Sequence, residues 1–320
     1  MPGDEQQSKV FRGVHRRIIA GDYAPLVDLP ELRTTDLEGP VAYREWEGPP
    51  DTAFVLIHGL GASHLSWTQV AAGLSGLGRV FAIDLPGFGA SPLAGRRAGL
   101  MDQRRTVSRF IGWIGVDRVV LGGSSMGGGL AILQAAVEPS SVTGIVLTSS
   151  VFPWRFGAFP HPLILASFGI YATPGLGERL VSWRLREMDP EQMVRLSIRV
   201  LAADPSSIPE DVVRLLVDLT RERKDDPGVA TSFLEAARSM MRLGRRPDVS
   251  RRALESVTCP VLVLHGRRDR LVPVEFAEAE LALHPEWRGR FFRDLGHIPQ
   301  MEAPGRWLAE VADWFADRLD

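Results

Sequence analysis

The sequence predicts an α/β protein in which a mostly parallel central sheet is flanked by helices. Continuous apolar runs such as Phe54-Val55-Leu56-Ile57 recur along the chain, as is typical of strands covered on both faces. Amphipathic or helix-forming stretches separate these runs, and glycine-rich turns follow several of them directly. At 320 residues the chain is long enough to bury a sizeable core.

The first half of the chain alternates between strands and helices after an N-terminal extension, residues 1–40, that is polar and contains Pro25 and Pro30. A helix is predicted at 102–115, because Val107, Phe110, Ile111 and Ile114 follow spacings of three and four. Strands are predicted at residues 41–46, 54–57, 79–83, 119–121 and 142–147.

Residues 151–250 break this alternation, because they contain no clear strand pattern. Aromatic residues and prolines come first, and helical stretches separated by further prolines follow. This pattern predicts a helical insertion over the strand ends, in which Trp154, Phe156 and Phe159 would either pack in a core or line a pocket. The α/β core would then comprise residues 41–150 and 251–320, with these predicted elements in its second part: a strand at 257–266, a helix at 275–283, a strand at 290–294 and a helix at 305–318.

The sharpest turn of the chain lies between the strand at 119–121 and a helix at 130–137. It contains a Gly-x-Ser-x-Gly sequence from Gly123 to Gly127, with Ser125 at the centre. Such a turn exposes a serine hydroxyl by forcing the serine to positive φ, where larger neighbouring side chains would collide. The competing interpretation is a glycine-rich turn that binds a phosphate or nothing at the helix N-terminus.

Two further polar residues follow strands and are predicted to reach the same edge of the sheet as Ser125. Asp269 follows the strand at 257–266, and His297 follows the strand at 290–294. A serine hydroxyl needs an imidazole to take its proton, and that imidazole needs a carboxylate to fix its tautomer. Asp269 is preferred as this carboxylate, and Asp294 is the second candidate.

The remaining histidines and Asp84 are assigned mainly structural roles. His58 opens a glycine-rich loop and is predicted to brace it through backbone hydrogen bonds, while His265 lies inside or just after a strand. Asp84 is expected to bind backbone N–H groups of its own loop. His64 would line the pocket mouth or face water.

Composition excludes several classes of protein. The formal net charge of −2 argues against a surface built for nucleic acid, and the single cysteine, Cys259, excludes an intramolecular disulfide or a cysteine-based zinc cluster. No signal peptide and no run of about 18 apolar residues is seen, so a cytoplasmic protein without stable membrane insertion is expected. We expect no metal and no organic cofactor.

These motifs together resemble the α/β-hydrolase superfamily, over residues 41–318. They are HGLG at 58–61, DLPGFGAS at 84–91, GSSMG at 123–127, HGRRDRLVP at 265–273 and GHIPQMEAP at 296–304. The resemblance implies an α/β-hydrolase fold with an inserted helical cap at 151–250. It also implies Ser125 as nucleophile, His297 as base, Asp269 as its acid, and the backbone N–H groups of Leu60 and Met126 as the oxyanion hole.

The expected activity is hydrolysis of a small carboxylic ester with an apolar acyl or alcohol group. A serine at the elbow excludes the epoxide hydrolases and haloalkane dehalogenases of this fold, which use aspartate there. The turn also resembles the GNSMGG of carbon–carbon bond hydrolases of dienone acids, but Ser124 replaces their Asn and Ile298, a possible pocket residue, stands where their Trp is common. The sequence is also compatible with acyl transfer, perhydrolysis or non-catalytic ligand binding.

Overall fold

The computed structural model describes residues 29–151 and 161–318, and the descriptions below refer to these residues. Eight strands form one sheet, β1 Leu32–Asp36, β2 Pro40–Trp46, β3 Thr52–Ile57, β4 Arg79–Ile83, β5 Arg118–Ser124, β6 Gly144–Thr148, β7 Val261–Gly266 and β8 Arg288–Phe292. The α-helices are α1 Thr68–Leu74, α2 Leu100–Ile114, α3 Met126–Val137, α4 Pro162–Ala172, α5 Leu176–Glu187, α6 Pro190–Leu201, α7 Glu210–Arg223, α8 Pro227–Gly244, α9 Pro247–Glu255, α10 Val274–Leu283, α11 Pro299–Glu302 and α12 Pro304–Arg318.

The sheet is mostly parallel, as the sequence predicts. Its strand order is β1-β2-β4-β3-β5-β6-β7-β8, in which the β1–β2 and β2–β4 pairs are antiparallel and all other pairs are parallel. The carboxyl ends of β3 and β5 lie side by side, since Ile57 pairs with Gly123. The loops that follow these two strands therefore meet at one edge of the sheet.

Helices cover both faces of the sheet, which explains why its central strands read as continuous apolar runs. Every residue of β3 and of β7 is buried. Residues of α2, α3 and α10, such as Phe110 and Leu130, pack on one face. Residues of α1 and α12 pack on the other, where the Trp67 and Trp307 ring centroids are 5.9 Å apart. Each fully buried large aliphatic or aromatic side chain stabilises the fold by about 1.5–3 kcal/mol.

The sheet begins earlier than the sequence pattern predicts. Strand β1 lies inside the segment expected to be an N-terminal extension, and it pairs with β2 from Leu32↔Arg44 to Asp36↔Pro40. It escapes the pattern because its sequence, LRTTD, is polar and mostly exposed at the sheet edge. Backbone hydrogen bonds, which leave no signature in the sequence, hold it there.

The helices α4 to α9 lie between β6 and β7, where the helical insertion is predicted. No strand occurs among residues 161–255. The predicted boundary at residue 250 falls within α9, a helix that packs against α3 of the core. In the part of the chain that the structure describes, no helix has the length and apolar character required to cross a membrane.

Candidate active site

Ser125 lies in a strained turn between β5 and α3. Its backbone has φ 53° and ψ −115°, a conformation that costs a non-glycine residue about 1–3 kcal/mol. The flanking glycines make this turn possible. A Cβ on Gly127 would lie 2.1 Å from the Ile57 carbonyl oxygen, and one on Gly123 would lie 2.4 Å from the Gly127 carbonyl carbon.

The loop at 58–61 lies directly against this turn. A Cβ on Gly59 would be 3.2 Å from the Ser125 Cβ. The backbone hydrogen bonds of the described residues include none donated by the N–H of Leu60 or of Met126. Both N–H groups are therefore available to an oxygen atom near Ser125.

His58 braces this loop, as predicted. Its Nδ1 lies 2.7 Å from the Gly59 carbonyl oxygen, and its Nε2 accepts a hydrogen bond of 3.1 Å from the Leu85 N–H. These partners fix the proton on Nδ1, so the ring is neutral. Burial lowers the pKa of His58 and favours the same neutral form.

The structure corrects the expectation for His64. This side chain is 2% exposed and is not among the described residues that line the cavity. Its Nδ1 lies 2.7 Å from Asp84 Oδ2, while Asp84 Oδ1 accepts from the His64 backbone N–H at 2.6 Å. Asp84 also accepts from the Ala90 N–H of its own loop, as predicted, at 2.6 Å. A buried carboxylate requires such partners, and the sequence pattern does not pair it with His64.

His297 and Asp269 form a buried pair at the carboxyl edge of the sheet. His297 Nδ1 lies 2.7 Å from Asp269 Oδ2, and their side chains are 4% and 0% exposed. A hydrogen bond from Nδ1–H to the carboxylate leaves Nε2 of the neutral ring unprotonated. His297 and Ser125 line the same cavity.

Several further groups hold the Asp269 carboxylate in place. Its Oδ1 accepts from the backbone N–H groups of Leu271 and Val272 at 2.8 and 2.9 Å, and its Oδ2 lies 3.1 Å from His265 Nε2. Burial alone would raise the pKa of Asp269. Electrostatic interaction with His297 and the hydrogen bonds from both histidines outweigh burial and hold that pKa far below its usual value.

Asp294, the second candidate partner for His297, is occupied elsewhere. Its two carboxylate oxygens accept hydrogen bonds of 2.7 and 3.0 Å from Arg306, and its side chain is 61% exposed. The structure thus brings Asp269, and not Asp294, to the imidazole.

The loop that carries His297 is joined by hydrogen bonds to the helical segment between β6 and β7. The His297 backbone N–H donates to the Leu201 carbonyl oxygen at 2.7 Å. The Glu302 carboxylate accepts from the Gly296 N–H of this loop at 2.8 Å and from the Ala203 N–H beyond α6 at 2.7 Å. Sequence reasoning misses Glu302, because nothing in its local pattern shows which distant N–H groups it binds.

A cavity of about 1090 Å³ opens above Ser125. Most of its lining side chains are aliphatic or aromatic, and Ile298 is among them. Trp154, Phe156 and Phe159, the aromatic candidates for a pocket lining, lie outside the described residues. Within the described residues no group of three or more histidines, cysteines and carboxylates is arranged to hold a metal ion.

Comparison with known proteins gives relatives with several activities. The chain is 28% identical, over 275 residues, to a 2-hydroxy-6-oxononadienedioate/2-hydroxy-6-oxononatrienedioate hydrolase of Cupriavidus pinatubonensis, a match that covers 82% of this chain and 86% of that protein. It is 30% identical, over 265 residues, to the dihydrolipoyllysine-residue acetyltransferase component of an acetoin cleaving system of Cupriavidus necator. The second match covers 82% of this chain but spans only 63% of the relative's length.

Solved structures share the fold at lower sequence identity. A thermophilic esterase from Thermogutta terrifontis superposes with a TM-score of 0.67 at 23% identity, covering 91% of this chain and 99% of that one. A haloalkane dehalogenase from Agrobacterium tumefaciens superposes with a TM-score of 0.76 at 16% identity, covering 91% and 97%. The family model described as alpha/beta hydrolase family matches residues 54–311. With this match, and with the eight-stranded sheet described above, the chain belongs to the alpha/beta hydrolase family.

Proposed function

We propose that the protein is a serine hydrolase that cleaves carboxylic esters of apolar acyl or alcohol groups through an acyl-enzyme on Ser125. The observation that carries this proposal is the buried His297–Asp269 pair, which is joined by a 2.7 Å hydrogen bond and whose His297 lines the same cavity as Ser125. The apolar lining of that cavity supports an apolar substrate. We further propose that the helical insertion, predicted at 151–250, acts as a cap over the site.

The proposed reaction has two stages. Nε2 of His297 takes the Ser125 proton as the hydroxyl oxygen attacks the ester carbonyl carbon, and Asp269 stabilises the imidazolium that results. The N–H groups of Leu60 and Met126 bind the oxyanion, each contributing about 10²- to 10³-fold in rate. His297 then protonates the departing alcohol. Water, deprotonated by His297, hydrolyses the acyl-enzyme and restores Ser125.

A second candidate is carbon–carbon bond hydrolysis of a dienone acid. The favouring observation is the similarity to the Cupriavidus pinatubonensis hydrolase, whose name states such substrates. Ser124 and Ile298 differ from the residues common in that group, so the ester remains the first choice. Non-catalytic ligand binding would not require the buried Asp269 beside His297.

The experiment is hydrolysis of p-nitrophenyl esters from acetate to laurate by the wild type and by Ser125→Ala, combined with a serine-reactive phosphonate. We expect turnover that the substitution abolishes and a label on Ser125. A labelled Ser125 without ester turnover would favour the carbon–carbon substrates. Absence of both label and turnover would contradict the proposed catalytic function.

A matched control uses Ser66, which also lines the cavity but follows no strained turn. Ser66→Ala should keep the label on Ser125. Cys259 does not complicate labelling at neutral pH, because burial raises the pKa of its thiol to about 11.

A further inference from the structure

The charged residues that line the cavity are all of one sign. Arg184, Arg223 and Arg245 contribute to its wall, whereas no Asp, Glu or Lys does so among the described residues. The chain as a whole carries more acidic than basic residues, 39 against 37, so this distribution is not a consequence of composition. The cavity wall is therefore mostly apolar, and three of its side chains are cationic guanidinium groups.

Arg223, the last residue of α7, is partly buried, and two carboxylates, those of Asp226 and of the buried Asp84, act on its charge. Its side chain is 19% exposed, and its Nη2 donates to the Gly87 carbonyl oxygen at 2.8 Å. The carboxylate paired with it, that of Asp226, lies 3.5 Å away. Asp226 directs its other oxygen to the Gly228 N–H at 2.7 Å, at the start of α8.

Arg184 on α5 has a neutral partner. Its Nη2 lies 3.3 Å from the Ser197 hydroxyl oxygen on α6, and that hydroxyl itself donates to the Met193 carbonyl oxygen. No ion pair of Arg184 occurs among the described residues. Its guanidinium thus retains donors that no carboxylate accepts.

Three arginines on α6, α7 and α8 that do not line the cavity each have a carboxylate partner. Arg221 pairs with Asp218 at 2.7 Å, Arg195 pairs with Glu191 and Glu210, and Arg238 pairs with Glu178. A partly buried cation with only a neutral partner, such as Arg184, is costly unless a ligand supplies the counter-charge. Burial lowers the pKa of Arg223, although the charges of Asp226 and Asp84 act in the opposite direction.

We infer that the substrate carries, besides its reacting carbonyl, a second and non-reacting carboxylate that Arg223 and Arg184 bind. The substrate class is therefore an apolar ester with a free carboxylate, such as a monoester of a dicarboxylic acid. This inference rests on the proposed ester hydrolysis at Ser125. A guanidinium suits the task because its fork of N–H donors matches a carboxylate and stays charged at neutral pH.

The kinetic test compares two esters of equal chain length, mono-(4-nitrophenyl) pimelate and 4-nitrophenyl heptanoate. We expect a larger kcat/KM for the pimelate ester, and we expect Arg223→Met and Arg184→Met each to lower the pimelate-to-heptanoate ratio about tenfold. Arg223→Lys, which keeps the charge, should restore part of the ratio. Arg221→Gln is the matched control, because Arg221 lies on the same helix as Arg223, is not a cavity residue and should leave the ratio unchanged.

The binding test separates this inference from the proposed function. Ser125→Ala is titrated calorimetrically with monomethyl pimelate and with dimethyl pimelate, which differ by one carboxylate. If the monomethyl ester binds more tightly than the dimethyl ester, and if Ser125→Ala/Arg223→Met loses this difference, the inference is supported. This holds even if the wild type hydrolyses neither nitrophenyl ester, because that result would contradict only the proposed hydrolysis. Equal binding of the two compounds, or an unchanged kinetic ratio in both arginine variants, would overturn the inference.

Discussion

At the scale of single residues, Asp269 shows how the fold keeps a carboxylate charged away from water. Two backbone N–H groups and two histidines surround it, and its pKa lies well below the usual value. The ionised form is thus the stable form in the folded protein at neutral pH. This form is the one that can hold His297 in the tautomer with Nε2 free.

We expect Asp269→Asn to lower kcat for the best ester about 10⁴-fold, because an amide does not enforce that tautomer. The substitution should also change how stability depends on pH. Because the pKa of Asp269 is lower in the folded protein than in the unfolded chain, where it is about 3.9, the ionised carboxylate stabilises the fold above about pH 3.9. This stabilisation is lost as the pH falls through the pKa of the folded state. Urea unfolding should therefore show the stability difference between wild type and variant shrinking below about pH 4. A constant difference would contradict the assignment.

Individual residues were predictable where the chemistry depends on local sequence. The glycines around Ser125 predict the positive φ that the structure shows. Ser125, Asp269 and His297 each follow a strand of the parallel part of the sheet, which brings all three to its carboxyl edge. His64 was not predictable, because its partner Asp84 belongs to another loop and only the folded chain joins them. The cavity arginines were missed for the same reason, since recurring arginines look alike in sequence whether or not a carboxylate faces them.

At the scale of elements, the turn between β5 and α3 requires the backbone of Gly127 to lie close to that of Ile57 and His58. We expect Gly127→Ala to destabilise the protein by about 3 kcal/mol, because the new Cβ would meet the Ile57 and His58 carbonyl oxygens at 2.1 and 2.8 Å. Gly112→Ala in α2 is the control, since no atom lies within 4 Å of its Cβ position apart from its chain neighbours and the backbone of α2. It should stabilise by about 0.5–1 kcal/mol. Denaturant unfolding measures both, and equal effects would refute the argument.

Glu302 joins two elements that are distant in sequence, the His297 loop and the chain after α6. A glutamine there can accept with only one oxygen and would turn an NH₂ group toward the other N–H. We expect Glu302→Gln to cost about 1–3 kcal/mol of stability and to slow phosphonate labelling of Ser125, because His297 would be less well held. Glu275→Gln, at an exposed position, should change neither quantity. A loss of stability with unchanged labelling would limit Glu302 to a structural role.

Elements were predictable where burial imposes a pattern. β3 and α2 were located within two residues because their apolar positions face a core. β8 runs from Arg288 to Phe292, two residues earlier than predicted, since three of its five residues are charged or glycine and only Phe292 is buried. The predicted end of the helical insertion, residue 250, lies within α9, which continues the helical pattern of α8 while packing on the core.

At the scale of the whole molecule, the cavity leaves apolar surface that a ligand can cover. In Ser125→Ala, we expect monomethyl sebacate at 100 times its dissociation constant to stabilise the fold by about 2.7 kcal/mol and to raise the melting temperature by about 4 °C. Succinate at the same concentration should have little effect, because it lacks an apolar body. Differential scanning calorimetry measures both. A similar shift with succinate would show that binding depends on charge alone.

The order of the strands also determines how this chain can be recombined with its relatives. β6 and β7 run parallel as neighbours, with Ile145 beside Val261 and Thr148 beside Leu264, so the chain leaves the sheet at one edge and re-enters it at the opposite edge. The last helix before re-entry, α9, packs against α3. A chimera joined at residue 250 would cut this helix in two. A chimera that exchanges only the residues between β6 and Pro247 would replace much of the cavity wall facing Ser125 and would leave α9 and β7 intact. Substrate preference can therefore diversify in evolution without rebuilding the sheet.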